Sequence, residues 1–332
     1  MRKVLVPVFV VAFVSLLTAA STGYHILTEI KIGGEGGWDY LSVDSAARRL
    51  YVSHNSHVVV VDLDKNTVVG DIPDTPGVHG IALAKDLDKG FISNGRGNNV
   101  TIFDLKTLKA TGTVATEMNP DDITYDATSK RVFAFNGRSK SATVIDAKTG
   151  MAVATIPLPG KPEFAVVDGK GHIYDNIEDT SEIVEIDTAK ATVVKKYALT
   201  GCEGPSGMAI DLQAHRLFSV CGNRVMAVSD PDKGTVIATV PIGAGPDGVV
   251  FDPGPGYAMS SNGDGTLTIV QQTGGKYDVV ENIATEAAAR TIALDEKTHR
   301  AYLPTAAYGA PTGGGRRGQM LPDSFKVLVV GK

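Results

Sequence analysis

Two histidines and one aspartate are the residues of this sequence whose types are best suited to chemistry. His54 ends one short apolar segment, whereas Asp39 and His79 each begin another. Two imidazoles and a carboxylate could bind a divalent metal such as Zn, Cu or Fe, with His57 as a further candidate ligand. Without a metal, the same side chains would be hydrogen-bonding or acid–base groups that titrate near neutral pH. Both interpretations require a fold that brings the side chains together.

The elements that must position these residues belong to a repeat of about 42 residues that runs seven times along the chain. Its clearest mark is an apolar strand that ends at an acidic residue, at Asp62, Asp104, Asp146, Asp187 and Asp230. Short apolar runs at this period, separated by Gly, Pro, Asn and Asp, are typical of β-propeller blades. The sequence therefore predicts an all-β, seven-bladed propeller of four-stranded blades, which forms a single domain over residues 21–332.

The two ends of the chain are predicted to share the last blade. The repeat supplies six outermost strands in order, and the segment over residues 24–32 has the pattern of the seventh. The final strand, over residues 326–331, has no later segment with which to pair. We therefore expect the N-terminal strand to complete the last blade and close the ring, because closure removes exposed sheet edges.

Two columns of polar residues are predicted to meet on one face of the ring, where loops on a rigid scaffold commonly carry function. The first column begins the innermost strand of each blade and comprises Asp39, His79, Asp121, Glu163, Ser206, Asp247 and Arg290. The second column ends the next strand and comprises His54, Asn94, Asn136, Asn176, Cys221, Asn262 and Thr305. Together they form either a ligand or metal pocket at the channel mouth or a merely hydrated rim. His54 replaces the Asn of other blades, and it should neighbour His79 and Asp39.

Trp38 and a group of arginines are further ligand-binding candidates at this mouth. Trp38 is the single Trp of the chain, and it could stack on a ligand or pack as a wedge beside a blade. The arginines Arg96, Arg138, Arg224 and Arg290 could clamp a carboxylate or phosphate, because a guanidinium offers a planar fork of donors. The alternative is that they are solvated loop residues.

An acidic loop in the fourth blade is a weaker candidate for metal binding. It holds Asn176, Glu178, Asp179 and Glu182, which offer the oxygen ligands that Ca²⁺ prefers. The spacing of these residues matches no known calcium loop. Asn176 and Glu178 could instead face the ligand pocket.

The last blade contains a long loop over residues 305–324 that is rich in Gly and Pro. Loops of this length without regular structure are commonly functional or disordered. The loop is therefore either a lid that folds over the channel or a surface loop in which Arg316 and Arg317 are solvated.

The first 20 residues have the pattern of a secretory signal peptide. Arg2 and Lys3 precede an apolar core over residues 4–17, and small residues follow it up to Ala20. This core is shorter than the roughly 20 apolar residues that a membrane span needs. We therefore expect cleavage near Ala20, a mature chain without a membrane span, and a periplasmic or secreted location.

The charge of the chain bears on its partners. The net charge of −5 becomes −7 once Arg2 and Lys3 are removed. An acidic protein is poorly suited to bind nucleic acid, because duplex affinity comes mostly from cationic contacts with phosphate. We expect a monomer whose partner is a small molecule or a cell-envelope protein.

Cys202 and Cys221 are the only cysteines of the chain. In an oxidising compartment a disulfide between them is favoured. It would close a loop of about 20 residues and stabilise the fold by roughly 3 kcal/mol in the chain-entropy description. The alternative is a pair of thiolate metal ligands or a redox-active pair.

Three tetrads at the ends of second strands carry a resemblance to a known family. They are Tyr-Val-Ser-His over residues 51–54, Phe-Ile-Ser-Asn over 91–94 and Phe-Ala-Phe-Asn over 133–136. With the apolar strand that follows each of them, they resemble the YVTN-repeat (YncE-like) propeller family over residues 24–332. The resemblance implies a seven-bladed, exported bacterial propeller. Related propellers include surface-layer modules, ligand binders and quinoprotein-like dehydrogenase subunits, so it implies the fold more specifically than the function.

Three functions compete on this basis. We favour a non-catalytic propeller that binds a small ligand or an envelope partner at the channel mouth. The alternative is a metal-assisted hydrolase, lactonase or lyase that uses His54, His79 and Asp39, and the third is a quinoprotein-like redox module, which rests on fold analogy. The sequence has no P-loop, dinucleotide-binding glycine motif, serine nucleophile elbow, CxxCH or HExxH motif. Phosphoryl-transfer, dinucleotide-dependent and serine-hydrolase functions therefore lose weight.

Overall fold

A computed structural model describes residues 21–310 and 318–332 of the chain. The predicted signal peptide at residues 1–20 lies outside the described residues, and so do Arg316 and Arg317 of the long loop. The described chain forms seven four-stranded antiparallel sheets. The predicted seven-bladed propeller is therefore confirmed.

The strands of the first blades follow one another along the chain. After β1 (His25–Lys31), blade 1 contains β2 (Leu41–Asp44), β3 (Arg49–His54), β4 (His57–Asp62) and β5 (Thr67–Ile72). Blade 2 contains β6 (Val78–Ala84), β7 (Lys89–Asn94), β8 (Asn99–Asp104) and β9 (Ala110–Ala115). Blade 3 contains β10 (Pro120–Asp126), β11 (Arg131–Asn136), β12 (Ser141–Asp146) and β13 (Met151–Pro157). A short 3₁₀ helix, Lys85–Leu87, links β6 to β7.

The remaining blades keep this order until the last one. Blade 4 contains β14 (Pro162–Val167), β15 (His172–Ile177), β16 (Glu182–Asp187) and β17 (Thr192–Ala198), and blade 5 contains β18 (Pro205–Asp211), β19 (Arg216–Cys221), β20 (Val225–Asp230) and β21 (Thr235–Pro241). Blade 6 contains β22 (Pro246–Asp252), β23 (Tyr257–Asn262), β24 (Thr266–Thr273) and β25 (Lys276–Ala284). Blade 7 contains β26 (Ala293–Asp295), β27 (Arg300–Thr305) and β28 (Lys326–Gly331), and β1 is its fourth strand.

Apolar side chains fill the spaces between successive blades. Between blades 3 and 4, for example, Phe133 and Ile156 pack with Ile173 and Val184. The two middle strands of a blade are buried on both faces, whereas outermost strands such as β13 are mostly exposed. This difference explains why the middle strands are nearly continuous apolar runs in the sequence.

Aspartates at the ends of the innermost strands shape the turns that follow. The Asp44 carboxylate accepts hydrogen bonds from the backbone N–H groups of Ala46 and Ala47. Asp126, Asp168, Asp211, Asp252 and Asp295 make equivalent bonds. These carboxylates therefore have a structural role in the turns.

The first and last strands of the described chain close the ring. β1 pairs antiparallel with β28 over the register from His25↔Gly331 to Lys31↔Lys326. Ile30 of β1 is buried in the core that joins blade 7 to blade 1. The predicted closure is therefore confirmed.

The innermost strands of blades 2 to 6 have irregular starts. In blade 2 the pairing register shifts between Val78 and Ile81, and β10, β14, β18 and β22 show equivalent shifts. A bulge bends a strand and redirects its side chains. The shifts coincide with residues of the first polar column, such as His79 and Asp121.

Blade 5 is joined by a disulfide between Cys202 and Cys221, whose Cα atoms lie 5.5 Å apart. Cys202 lies in the loop before β18, and Cys221 ends β19. The bond links the loop that precedes β18 to the end of the adjacent strand β19. Within the described part of the chain, no helix is long and apolar enough to cross a membrane.

We predict that removal of residues 24–32 abolishes cooperative folding. The deletion would leave the edge of β28 unpaired and would open the apolar core around Ile30. Thermal unfolding followed by circular dichroism should show a broad, low-temperature transition, compared with a sharp one for the chain that begins at Ser21. An unchanged melting transition in the deletion variant would contradict this account of ring closure.

Candidate functional site

A cluster of three side chains lies at the channel mouth, one from each of blades 1, 2 and 3. The Nδ1 atom of His79 is 2.6 Å from Asp39 Oδ2 and 3.4 Å from Asp121 Oδ1. One potential ligand atom from each residue lies within 4.8 Å of the other two. All three side chains are partly buried. Among the described residues this is the one cluster of His, Cys, Asp and Glu that could hold a metal ion.

Arg290 extends the cluster to blades 6 and 7. Its guanidinium lies 3.5 Å from Asp39 Oδ1 and forms a close ion pair with Asp247. It also donates to the backbone carbonyl of Trp38 over 3.4 Å. Asp39 therefore uses one carboxylate oxygen toward His79 and the other toward Arg290.

Blade 4 continues the arrangement with Lys161. Its ammonium group forms a close ion pair with Glu163 and lies 2.5 Å from Glu178. We call the whole set the charged ring: Asp39, His79, Asp121, Glu163, Asp247 and Arg290, with Lys161 and Glu178 attached at blade 4. Five carboxylates thus face three basic side chains, so negative charge is in excess.

Hydrogen bonds to the backbone fix the positions of the two aspartates. The Asp39 N–H donates to Ser53 Oγ over 2.8 Å, and the Asp39 carbonyl accepts from Thr291 Oγ1 over 2.7 Å. The Asp121 carbonyl accepts from the hydroxyl of Ser93. The starts of these innermost strands are therefore held by neighbouring strands and blades.

Two aromatic rings lie directly beneath the charged ring. Tyr40 follows Asp39 and Phe164 follows Glu163, and their rings meet edge to face with centroids 5.2 Å apart. The contact joins blade 1 to blade 4 across the channel. Burial raises the pKa of Tyr40 well above its usual value, and the nearby carboxylates, Asp121 first among them, raise it further.

Below these aromatic rings the channel forms a cavity of about 420 Å³. The innermost strands of blades 1 to 5 line it, mostly with aliphatic side chains such as Ile81, Ile123 and Val166. Gly80 also lines the cavity, and a Cβ there would lie 2.9 Å from Ile123 Cγ2. The charged ring therefore lies above a largely apolar channel.

Two further carboxyl groups are buried beside blade 4. Burial raises the pKa of Asp122 to about 8, against the effect of hydrogen bonds from the backbone N–H groups of Ala165 and Ile123. Asp175 has no exposed surface, and burial followed by the charges of Asp122 and Glu163 raises its pKa well above the usual value. Neither oxygen of Asp175 has a hydrogen-bond partner of normal geometry in the described structure.

The excess of carboxylates also changes the protonation of the charged ring. Burial raises the pKa of Asp121, and the Asp39 charge raises it further, although His79 opposes this. Burial likewise raises the pKa of Glu163, against the effect of Lys161. Burial lowers the pKa of His79, but the hydrogen bond to Asp39 and the charge of Asp121 outweigh burial, so that its pKa is raised.

The asparagines of the second column serve the blades and do not face a ligand. Asn94, Asn136, Asn176 and Asn262 have no exposed surface. Asn94, Asn136 and Asn262 donate to hydroxyl or amide oxygens of the next strand in their own blade, and Asn176 donates to the Ser206 and Gly207 carbonyls. The structure therefore gives these asparagines a role inside the blades in place of the predicted role in ligand binding.

His54 also lies apart from the cluster that holds His79. Its ring is buried, stacks on Phe325 with centroids 4.4 Å apart, and meets His57 edge to face at 4.9 Å. Burial, followed by the nearby His57, lowers the pKa of His54 to about 4. The predicted pairing of His54 with His79 and Asp39 is therefore replaced by the cluster that contains Asp121.

Trp38 packs against other aromatic side chains and is not positioned to stack on a ligand in the channel. Its indole stacks on Phe325 with centroids 5.1 Å apart and contacts Tyr308. Phe325 thus lies between Trp38 and His54 and anchors the end of the long loop. Of the two alternatives for Trp38, the structure supports the packing wedge.

The proposed arginine clamp is not assembled. Arg290 is engaged by two aspartates of the charged ring, whereas Arg96, Arg138 and Arg224 are exposed on separate loops. Arg96 donates to Asn55 Oδ1 over 3.3 Å. Ser206 is the second residue of β18, and its hydroxyl donates to the Pro246 carbonyl.

The acidic loop of blade 4 does not form a calcium site. Glu178 pairs with Lys161, Asp179 with Lys140 at 2.6 Å and Glu182 with Lys196 at 3.1 Å. The carboxylates therefore point to different lysines. Asn176, the fourth member of the predicted set, lies inside the blade.

Sequence reasoning missed four important residues: Tyr40, Asp122, Lys161 and Asp175. A signal was present for Asp175, because the equivalent positions in blades 1, 2 and 3 hold the apolar residues Val52, Ile92 and Ala134. Ser53 and Ser93 occupy the next position, which is Asn176 in blade 4, and they hydrogen-bond the starts of innermost strands. Adjacent residues of a strand point to opposite faces, so Asp175 points away from Asn176, and it interacts with the charges of Asp122 and Glu163.

Comparison with known proteins shows the fold and does not show a family. No family model matches the chain, and no curated protein matches its sequence. A solved structure of hydrazine synthase from Kuenenia stuttgartiensis is similar, with a TM-score of 0.52 and 15% sequence identity. The match covers 73% of this chain and 97% of that one. At this identity the likeness supports the propeller fold alone.

We predict that Asp122 makes the protein less stable as the pH rises. Between its usual pKa near 4 and its folded pKa of about 8, the native state holds a proton that the unfolded chain releases. The free energy of unfolding should therefore fall with rising pH over this range. Urea unfolding midpoints should show this decline, and Asp122→Asn should reduce it.

Glu117→Gln is the control for this measurement, because Glu117 is exposed in a loop on the same face. It should keep the pH dependence of the unmodified protein. Equal slopes in Asp122→Asn and the unmodified protein would contradict a protonated Asp122 in the native state.

Proposed function

We propose that this protein is a binding propeller that takes a small, positively charged ligand at the mouth of its channel. The observation that carries the proposal is the excess of carboxylates in the charged ring. The fold is consistent with a binding module, and a rigid ring of seven blades can hold such a set of side chains in place. The positive charge of the ligand refines the small-ligand hypothesis drawn from the sequence.

The excess is greatest on the side of blades 3 and 4. This side holds Asp121 and Glu163, together with the buried carboxyls of Asp122 and Asp175. Lys161, which immediately precedes β14 of blade 4, is the basic side chain next to them. Carboxyl groups that repel one another cost free energy unless a proton or a cation neutralises them. A bound cation would replace the protons that the raised pKa values of Asp121 and Glu163 indicate.

The aromatic rings under the mouth suit the same kind of ligand. Tyr40 and Phe164 present π-systems next to the carboxylates, and cations are attracted to aromatic faces. The aliphatic channel below can accept an apolar part of a ligand. A divalent metal ion and an organic ammonium ion are both compatible with this general proposal.

The proposal also includes membership of the YVTN-repeat family and export from the cytoplasm. Membership of the YVTN-repeat (YncE-like) family rests on the three tetrads and on the repeat period. Export to the periplasm or the medium rests on the pattern of residues 1–20, and the disulfide between Cys202 and Cys221 suits an oxidising compartment. A monomer is expected, with a small molecule or a cell-envelope protein as partner.

We predict that the protein binds small cations in preference to small anions of similar size. Isothermal titration with butylammonium, tetramethylammonium and divalent metal ions should show saturable binding by at least one of them, whereas butyrate should not bind. Asp121→Asn and Glu163→Gln should each weaken binding by about tenfold, or about 1.4 kcal/mol. Affinity should increase as the pH rises, because Asp121 and Glu163 then lose their protons.

Glu117→Gln removes the same charge from an exposed position and should leave the affinity unchanged. Binding of butyrate but of none of the cations would overturn the proposal. Equal weakening by Glu117→Gln and Asp121→Asn would show that overall charge, and not the ring, attracts the ligand.

A further inference from the structure

We infer that Asp39, His79 and Asp121 form a binding site for a divalent transition-metal ion, such as Zn²⁺, Mn²⁺ or Fe²⁺. The inference rests on the proposed function, because it names the charged group that the mouth accepts. It differs from the sequence-based trio in replacing His54 with Asp121. The proposed donor atoms are His79 Nδ1, Asp39 Oδ2 and Asp121 Oδ1, which are the atoms that approach one another.

The separations of these atoms suit a shared ion. Metal–nitrogen and metal–oxygen bonds of about 2.0–2.2 Å place neighbouring donor atoms roughly 3 Å apart. The 3.4 Å separation of His79 Nδ1 from Asp121 Oδ1 already fits, and the 2.6 Å separation from Asp39 Oδ2 needs a small opening. The hydrogen bond between His79 Nδ1 and Asp39 Oδ2 spans the place that the ion would take.

The donor types select the kind of metal. One imidazole nitrogen and two carboxylate oxygens suit Zn²⁺, Mn²⁺ and Fe²⁺, whereas Ca²⁺ prefers six to eight oxygen ligands. Three protein ligands leave coordination positions open for water or for a bound small molecule. His79 and both aspartates are partly exposed at the mouth, so solvent can reach the ion.

The surroundings hold the donors in position. Arg290 engages the second oxygen of Asp39, and Asp247 in turn engages Arg290. The backbones of Asp39 and Asp121 are fixed by the serine and threonine bonds described above. Partners of this kind orient metal ligands and are needed for tight binding.

The charges give an independent reason for a dication. Two aspartates share the single imidazole of His79, and the charged ring around them has more carboxylates than basic side chains. Farther round the ring, the fully buried carboxyl of Asp175 has no hydrogen-bond partner of normal geometry among the described residues, and it lies close enough to Asp122 and Glu163 to interact with their charges. A dication would neutralise both aspartates of the cluster with His79 neutral.

A metal titration of the mature protein tests the inference. After treatment with a chelator, the protein should bind one equivalent of Zn²⁺, Mn²⁺ or Co²⁺, measured by calorimetry and native mass spectrometry. Asp121→Asn and His79→Gln should each weaken binding by more than about 100-fold, because loss of even an outer partner costs 10–100-fold. Circular dichroism should confirm that each variant is folded.

His172→Gln is the matched control. His172 also lies near two carboxylates, Asp168 at 3.2 Å and Glu185 at 3.8 Å, but it meets them with different ring nitrogens, so the donors do not converge. This variant should bind metal as the unmodified protein does. Should either cluster variant fail to fold, paramagnetically shifted imidazole signals from the Co²⁺ form of the unmodified protein would still reveal a histidine ligand.

The outcomes separate this inference from the proposed function. Failure to bind any of the three metal ions, together with binding of an ammonium ion, would overturn the metal site and leave the cation-binding function standing. Failure to bind either class of cation would overturn both. Metal binding that survives Asp121→Asn and His79→Gln, or that is lost in His172→Gln, would place the ion elsewhere.

Discussion

Pairing of the first strand with the last is the constraint on which the rest of the structure depends. β1 and β28 close the ring, and closure brings blade 7 against blade 1. The candidate site crosses this seam, because Arg290 and Thr291 both reach Asp39. Residues that are some 250 positions apart in the chain therefore meet only in the closed ring. The charged ring is a product of closure as much as of its own side chains.

The charged ring lowers the free energy of unfolding, so the rest of the fold must supply compensating stability. Buried carboxylates that lie close to one another oppose folding. Burial, followed by the charges of neighbouring carboxylates, raises the pKa values of Asp121, Asp122 and Glu163. Seven interblade cores and the turn aspartates supply stability far from the mouth. Proteins commonly place such unfavourable groups where function needs them and compensate elsewhere.

The sequence predicted the fold well because the repeat period is a property of whole blades. It also identified most of the charged ring, since the start of each innermost strand is a fixed position in the repeat. The asparagine column was misassigned because spacing gives the end of a strand but not the direction of its last side chain. Bulges such as that between Val78 and Ile81 depend on contacts with neighbouring blades, so a single repeat does not reveal them. Asp175 was detectable only as a carboxyl at a strand position where blades 1 to 3 have the apolar residues Val52, Ile92 and Ala134.

The bulges have a consequence for how such a protein can change over generations. Their polar residues, such as His79 and Asp121, lie at the rim of the channel, apart from the apolar packing between blades. A substitution at one of these polar positions alters the chemistry of the mouth without disturbing an interblade core. The repeated blade therefore provides a nearly symmetric frame with five bulged positions, and selection can diversify specificity there while the architecture stays unchanged.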